Sequence, residues 1–152
     1  MAKEDTKPSA ATYIDPYRAY NFKLEIEGVT QGHFTEVSGM EASIAPISYR
    51  EAGNNQVVHY VPGRTEYGAV TLRYGVTKST DLWDWFKTGI QGKIARRNVS
   101  IVLLDSDGST EVTRWNLYNA WATQWRGSML DTRSQEVAIE SVTLVCETLE
   151  RA

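Results

Sequence analysis

Phe22, Leu24 and Ile26 alternate with Lys23, Glu25 and Glu27, the period-two pattern of a strand with one buried face. Gly28 closes this strand, and His33–Val37 reads as the next, ending near Ser38 and Gly39. Residues 41–50 and 56–61 read as two strands around Gly53, Asn54 and Asn55, which tolerate positive φ and so mark a hairpin tip. The hairpin carries apolar groups on both faces, Ile47 and Tyr49 on one arm and Val57, Val58, His59 and Tyr60 on the other. Pro46 argues for an edge or a bend, and Pro62-Gly63 should end the second arm. Val70, Leu72 and Tyr74 then alternate as a further strand.

The period changes after Tyr74. Leu82, Phe86, Ile90 and Ile94 recur at intervals of four, and Ser79, Thr80 or Asp81 can cap what precedes them. The spacing predicts one helix over about residues 80–95, weakened by Gly89 and Gly92, each of which costs roughly 1 kcal/mol in a helix interior. Lys93, Arg96 and Arg97 would then sit at its C-terminal end, where cations favour the dipole.

Beyond the helix, Val99, Ile101 and Leu103 form a strand running into the turn signal Asp105-Ser106-Asp107-Gly108, and residues 112–121 return as its partner. Residues 126–133 read as a loop and 135–149 as the final strand. Val137 and Ile139 lie on one parity of that strand, and Val142, Leu144 and Cys146 on the other. Such a switch implies a β-bulge near Glu140-Ser141, or a strand buried on both sides.

Together these elements predict a mainly β fold. Its antiparallel strands form a small barrel or sandwich with one flanking helix and a long protruding hairpin at about residues 41–61. Residues 1–12 are polar and small and read as a flexible arm, leaving 13–152 as a single domain.

Composition narrows the function. The chain of 152 residues can bury one core, and its net charge of −3 offers no basic face for nucleic acid. Cys146 is the only cysteine, so no internal disulfide forms. No apolar leader follows Met1 and no run is long enough to span a membrane, which points to assembly in the cytoplasm without a signal peptide.

The residues that could carry chemistry read as structural or surface groups. His33 and His59 show no metal-ligand spacing. Cys146 shares the apolar parity of Val142 and Leu144 and reads as an inert thiol. Asp105 and Asp107 resemble the start of a calcium loop, but Asn116 stands where the closing Glu belongs, so a hairpin turn is the better reading. Asp81 with Asp84, and Glu136 with Glu140, could be imagined as acid–base pairs, yet nothing suggests burial. No enzyme activity, cofactor or metal is expected. Trp83, Trp85 and Phe86 on the helix, and Trp115, Trp121 and Trp125 on the late strands, supply core and some interface. A two-sided hairpin is not stable alone in water, so the residues themselves indicate a self-associating β domain.

A series of motifs goes further. Asp15-Pro16-Tyr17-Arg18, Asn21-Phe22, Val37-Ser38-Gly39-Met40 and Tyr49-Arg50-Glu51 with Gly53-Asn54-Asn55 and Pro62-Gly63 make up its first half. Leu72, Gly75-Val76, Leu82-Trp83-Asp84-Trp85-Phe86, Arg114-Trp115-Asn116, Asn119-Ala120-Trp121 and Glu136-Val137-Ala138-Ile139-Glu140 complete it. In this order they resemble the tail-tube family of contractile phages and phage-like extracellular contractile injection systems, which is similar to the type VI secretion inner tube. The loop after Trp125, Arg126-Gly127-Ser128-Met129-Leu130-Asp131, departs from the family pattern.

The resemblance implies a structural subunit. Six copies would form a ring, and rings would stack into a hollow inner tube that a contracting sheath drives through an envelope. The implied partners are further copies of the chain, the sheath, baseplate or hub proteins, and a cargo in the lumen, either protein toxin or phage DNA. The particle would be a phage tail or a released injector. Tyr49, Arg50, Glu51, Asn54, Asn55, Val57, His59 and Tyr60 would meet a neighbouring subunit or ring. Asp81, Asp84, Lys87 and Gln91 would offer a helix face to the sheath. Two alternatives stand beside this reading: a baseplate tube-initiator subunit of the same machine, and a small β-barrel ligand-binding protein.

Overall fold

The structure is a computed structural model that describes residues 21–27, 34–53 and 56–152. It is mainly β. In chain order the elements are β1 (Phe22–Ile26), β2 (Phe34–Ser38), β3 (Ala42–Tyr49), β4 (His59–Tyr67), β5 (Val70–Gly75), α1 (Asp81–Ile90), β6 (Arg97–Leu104), β7 (Glu111–Arg126), β8 (Ile139–Val145) and β9 (Thr148–Arg151). One sheet runs β1-β6-β7-β8-β5-β2, with β9 also on β7, and every pairing is antiparallel. Among the described residues β3 and β4 pair only with each other. The expected barrel does not close, because β1 and β2, the two end strands, share no ladder among the described residues.

The alternating positions read from the sequence do face the core. Val70, Leu72 and Tyr74 of β5 meet Val142 and Leu144 of β8, Leu117, Ala120 and Ala122 of β7, Val99 and Ile101 of β6, and Ile26 of β1 in one buried cluster. The helix adds Leu82 and Trp85 to it.

α1 is shorter than the spacing suggested and turns a different face inward. Ile90 is 64% and Ile94 46% exposed. A step of four residues overshoots a 3.6-residue turn, so a strict four-residue stripe rotates off the core within three steps. The burial of Leu82 and Trp85 instead follows the i, i+3 relation. Thr80 is the N-cap, but its hydroxyl donates to Asp84 Oδ2 at 3.1 Å rather than capping a backbone amide. The helix stops at Ile90, and Gly92 follows with φ +76. Trp85 Nε1 donates to the Ala95 carbonyl at 2.6 Å and ties the exit turn back to the helix. Lys93, Arg96 and Arg97 therefore lie beyond the helix, not in its last turn, and Arg97 already opens β6.

β7 is the longest strand, at 16 residues, and it serves two parts of the sheet. Its first half pairs with β6 and β9, and its second half with β8. The bend between them is Asn119, with φ 53. β6 shifts register between Arg97 and Val99 at the same level, and the chain breaks between β8 and β9 at Cys146-Glu147. The final strand is thus split there. No bulge occurs at Glu140-Ser141, where β8 stays in unbroken register with β5 from Gly75↔Ile139 to Val70↔Leu144. The parity switch has a simpler cause: Val137 precedes the strand and Ile139 faces outward, at 77% and 41% exposure.

The turn after β6 matches its sequence signal. Gly108 has φ +75 and its N–H donates to the Asp105 carbonyl at 2.9 Å. The Asp107 carboxylate accepts from the Ser109 and Thr110 amides at 3.0 and 2.9 Å and from the Thr110 hydroxyl. These bonds, the Thr110 hydroxyl first, hold its pKa down at about 2.

Candidate assembly surface

β3 and β4 continue the β2/β5 ribbon outward from the body. Ser38 pairs with Thr71, and beyond them Ala42 pairs with Tyr67 and Tyr49 with His59. Gly39 makes the exit possible: it has φ +87, and a Cβ there would lie 2.3 Å from the Ala69 carbonyl oxygen. The second arm does not end at Pro62-Gly63. Pro62 faces Pro46 and the strand runs on to Tyr67, with a register shift between Ile44 and Pro46. Proline is tolerated here because both strands are edges. Gly63 fills the irregularity, where a Cβ would come 2.6 Å from the Ala45 carbonyl oxygen.

Every residue of β3 is exposed, and β4 is exposed except at His59, Gly63 and Tyr67, which are half-buried. Ile44, Ile47, Tyr49, Tyr60 and Val61 all face solvent. The Tyr49 and His59 rings stack across the strands with centroids 5.2 Å apart and planes 24° apart. Paired residues share a face, so Ile47 with Val61 and Tyr49 with His59 lie on one side, while Ser48 with Tyr60 and Pro46 with Pro62 lie on the other. The ribbon is therefore apolar on both sides, roughly 25 Å long at the rise of a strand, and uncovered.

Of the residues assigned to contacts from sequence, Tyr49, His59 and Tyr60 are brought together on the ribbon. Arg50, Glu51 and Val57 are exposed at its tip, and Asn54 and Asn55 lie outside the described residues. Asp84, Lys87 and Gln91 are exposed, Asp81 is half-buried, and Gln91 falls just past the helix end. The expected arm, residues 1–12, also lies outside the described residues, as does His33.

The residues considered for chemistry do not converge. Among the described residues, no three His, Cys, Asp or Glu side chains gather as a metal site would require. Glu140 accepts the buried Tyr74 hydroxyl at 3.0 Å, while Glu136 is exposed. Burial and the Glu140 charge push the Tyr74 pKa upward. Cys146 is half-buried, and that burial raises its thiol pKa.

A fold with an unclosed sheet, one helix and an uncovered ribbon has clear relatives. The family model described as T4-like virus tail tube protein gp19 matches residues 18–150. The chain belongs to that family. Among solved structures, this tail-tube protein is similar to a chain of the extracellular contractile injection system PVC sheath-tube complex in the extended state. That chain is 26% identical with a TM-score of 0.80, over 90% of this chain and 91% of that one. It is also similar to a chain of the PVC sheath/tube terminator, 26% identical with a TM-score of 0.82, over 93% and 99%. It shares its fold with Hcp1 from Flavobacterium johnsoniae, 14% identical with a TM-score of 0.55, over 88% and 95%. No curated protein sequence matches.

Sequence reasoning passed over one surface of the tube protein. Met129 and Leu130 are 84% and 85% exposed, the highest values among the large apolar residues described. Their signal was available: an adjacent apolar pair inside an otherwise polar loop.

Proposed function

We propose that this tail-tube protein is the repeating subunit of the inner tube of a contractile injection particle, with six copies in a ring and rings stacked into a hollow conduit. The observation that carries this reading is the β3–β4 ribbon, apolar on both faces and uncovered along its length. An isolated two-stranded ribbon is marginal in water, and exposed edges invite pairing. A neighbouring copy removes both problems, through Tyr49, Arg50, Glu51, Asn54, Asn55, Val57, His59 and Tyr60. The contact is heterologous, so rotation closes a ring while stacking stays open-ended and builds length.

The role is mechanical, not catalytic. A contracting sheath drives the tube, and the helix residues Asp81, Asp84, Lys87 and Gln91 face that sheath. The sheath-tube complex among the similar structures supports such a partner. The lumen carries protein toxin or phage DNA, depending on whether the particle is a released injector or a phage. Assembly takes place in the cytoplasm. Among the described residues no helix is long and apolar enough to cross a membrane.

The test is electron microscopy of the purified full chain, alone and with sheath and baseplate proteins. Rings and hollow tubes are expected. A species that stays monomeric at high concentration, even with those partners, overturns the reading. The fold shared with a chain of the anti-feeding prophage baseplate, 23% identical with a TM-score of 0.79, keeps a second reading in view, a tube-initiator subunit. Copy number per particle separates the two, since a main tube protein is abundant and an initiator is not.

A further inference from the structure

Glu140 lies on the inward face of β8. It precedes Val142 and Leu144 at steps of two, and both of those side chains are fully buried in the core. Its cross-strand partner is Tyr74, also buried, whose hydroxyl donates to Glu140 Oε2 at 3.0 Å. The carboxylate therefore stands half-buried at the margin of the apolar core. It forms no ion pair among the described residues. A partly desolvated charge in such a place ordinarily has a counter-charge.

The margin is a cavity of about 170 Å³ between β5, β8, the end of β7 and the start of α1. Trp83 and Trp125 form two of its walls, with ring centroids 4.8 Å apart and planes inclined by 68°. Val76 and Leu82 add apolar surface, and Tyr74 and Glu140 make the polar side. Trp125 Nε1 is buried with no hydrogen-bond partner among the described residues. Its N–H acts on the Tyr74 oxygen, lowering a pKa that burial and Glu140 raise. The dipoles thus run from the Trp125 N–H through the Tyr74 O–H to Glu140, and the carboxylate is their negative end. Ring faces are negative as well, so indoles beside a carboxylate favour a cation. The helix terminus at the cavity does not reverse this, because Asp81 and Asp84 in its first turn offset its positive end.

Size narrows the cation. At roughly 30 Å³ for each water-sized atom, the cavity takes about five or six atoms. An ammonium on a short alkyl stem fits, and an alkyl guanidinium is larger. We propose that this cavity binds a primary ammonium ion on a short alkyl stem, with Glu140 as its counter-ion and Trp83 and Trp125 packed against head and stem. That chemistry belongs to a free alkylamine and to a lysine side chain of another protein. The chain does not provide the ion from its own rim: Lys78 is exposed and makes no ion pair among the described residues. The site goes beyond the tube reading and does not depend on it.

The test titrates the full-length protein with n-butylammonium and with its neutral isostere n-butanol, at constant ionic strength. Calorimetry and indole fluorescence follow the binding. Saturable binding in the millimolar range is expected for the ammonium and not for the alcohol. Glu140→Gln keeps an oxygen for the Tyr74 hydroxyl and should weaken binding roughly tenfold or more. Trp83→Leu, at a partly exposed position, should weaken it about threefold or more while the chain stays folded by circular dichroism. Should Glu140→Gln fail to fold, Trp83→Leu decides alone. Nα-acetyl-lysine methylamide separates the two sources: binding equal to n-butylammonium assigns the site to a protein side chain, and binding of n-butylammonium alone assigns it to a free amine. Butanol binding as tightly, no saturation with any amine, or unchanged affinity in the folded variants overturns the site. None of these readouts requires tubes to form, so failure of the site and failure of the tube reading are told apart.

Discussion

Asn119 Nδ2 donates to Glu147 Oε2 at 2.9 Å, joining the left-handed bend of β7 to the break between β8 and β9. The Asn119 amide donates in turn to Asn98 Oδ1 at 3.2 Å, and Glu147 N–H to the Tyr118 carbonyl at 3.0 Å. Arg96 closes the group as an ion pair with the other oxygen of Glu147. Three strands leave regular pairing at one level here, and these side chains take up backbone groups that the ladder leaves open.

Asn119→Ala should therefore cost about 2 kcal/mol, because alanine adopts the left-handed region less readily than asparagine and the side-chain bond to Glu147 is lost. Asn119→Gly keeps the backbone easy and should cost less. Urea denaturation of both subunits checks the order, and equal losses would show that the positive φ imposes no constraint.

Leu72 is fully buried between β8 and the rest of the core, so Leu72→Ala should lose about 3 kcal/mol through lost transfer energy and a residual cavity. Leu130→Ala, at a site 85% exposed, should stay within about 0.5 kcal/mol. Thermal melts of the two variants separate a side chain that the core depends on from one that the subunit's own fold does not need.

On α1, Trp85 and Ile90 make the same comparison within one helix. Trp85 is 2% exposed and bonded to Ala95, so Trp85→Ala should cost about 3–5 kcal/mol. Ile90→Lys should change stability by less than about 0.5 kcal/mol. A large loss at Ile90 would mean that the four-residue stripe faces the core after all.

The Asp107 turn has a defined pH window. The bonds from Thr110 and Ser109 hold its pKa down at about 2, below the ordinary 3.8 of an aspartate, so its stabilising effect is complete above about pH 4 and fades as pH falls through 2. The carboxyl carbon shift of Asp107 and the amide shift of Thr110, followed by NMR from pH 5 downward, should share that low midpoint. Asp107→Ala should abolish the Thr110 titration.

Removing residues 53–56 leaves five residues between Tyr49 and His59, a common hairpin length, so the domain should fold. Tube growth should stop because the tip no longer reaches its partner. Circular dichroism verifies the fold and microscopy the assembly; normal-length tubes would remove the tip from the contact.

The sequence by itself determined what depends on near neighbours. The alternation of Phe22 to Glu27 and of Val70 to Tyr74, and the turn from Asp105 to Gly108, are written in side-chain period and φ preference, which act within a few residues. The apolar two-sided hairpin and the motif series that led to the tail-tube family were legible in the same way. Only the tertiary structure decided that the sheet stays open, that Asn119 folds β7 across two halves, and that the last strand breaks at Cys146-Glu147. Each of these follows from pairing between residues far apart in the chain, such as Asn98 with Asn119 and Asn119 with Glu147, and a local pattern carries no record of which distant strand will arrive beside it.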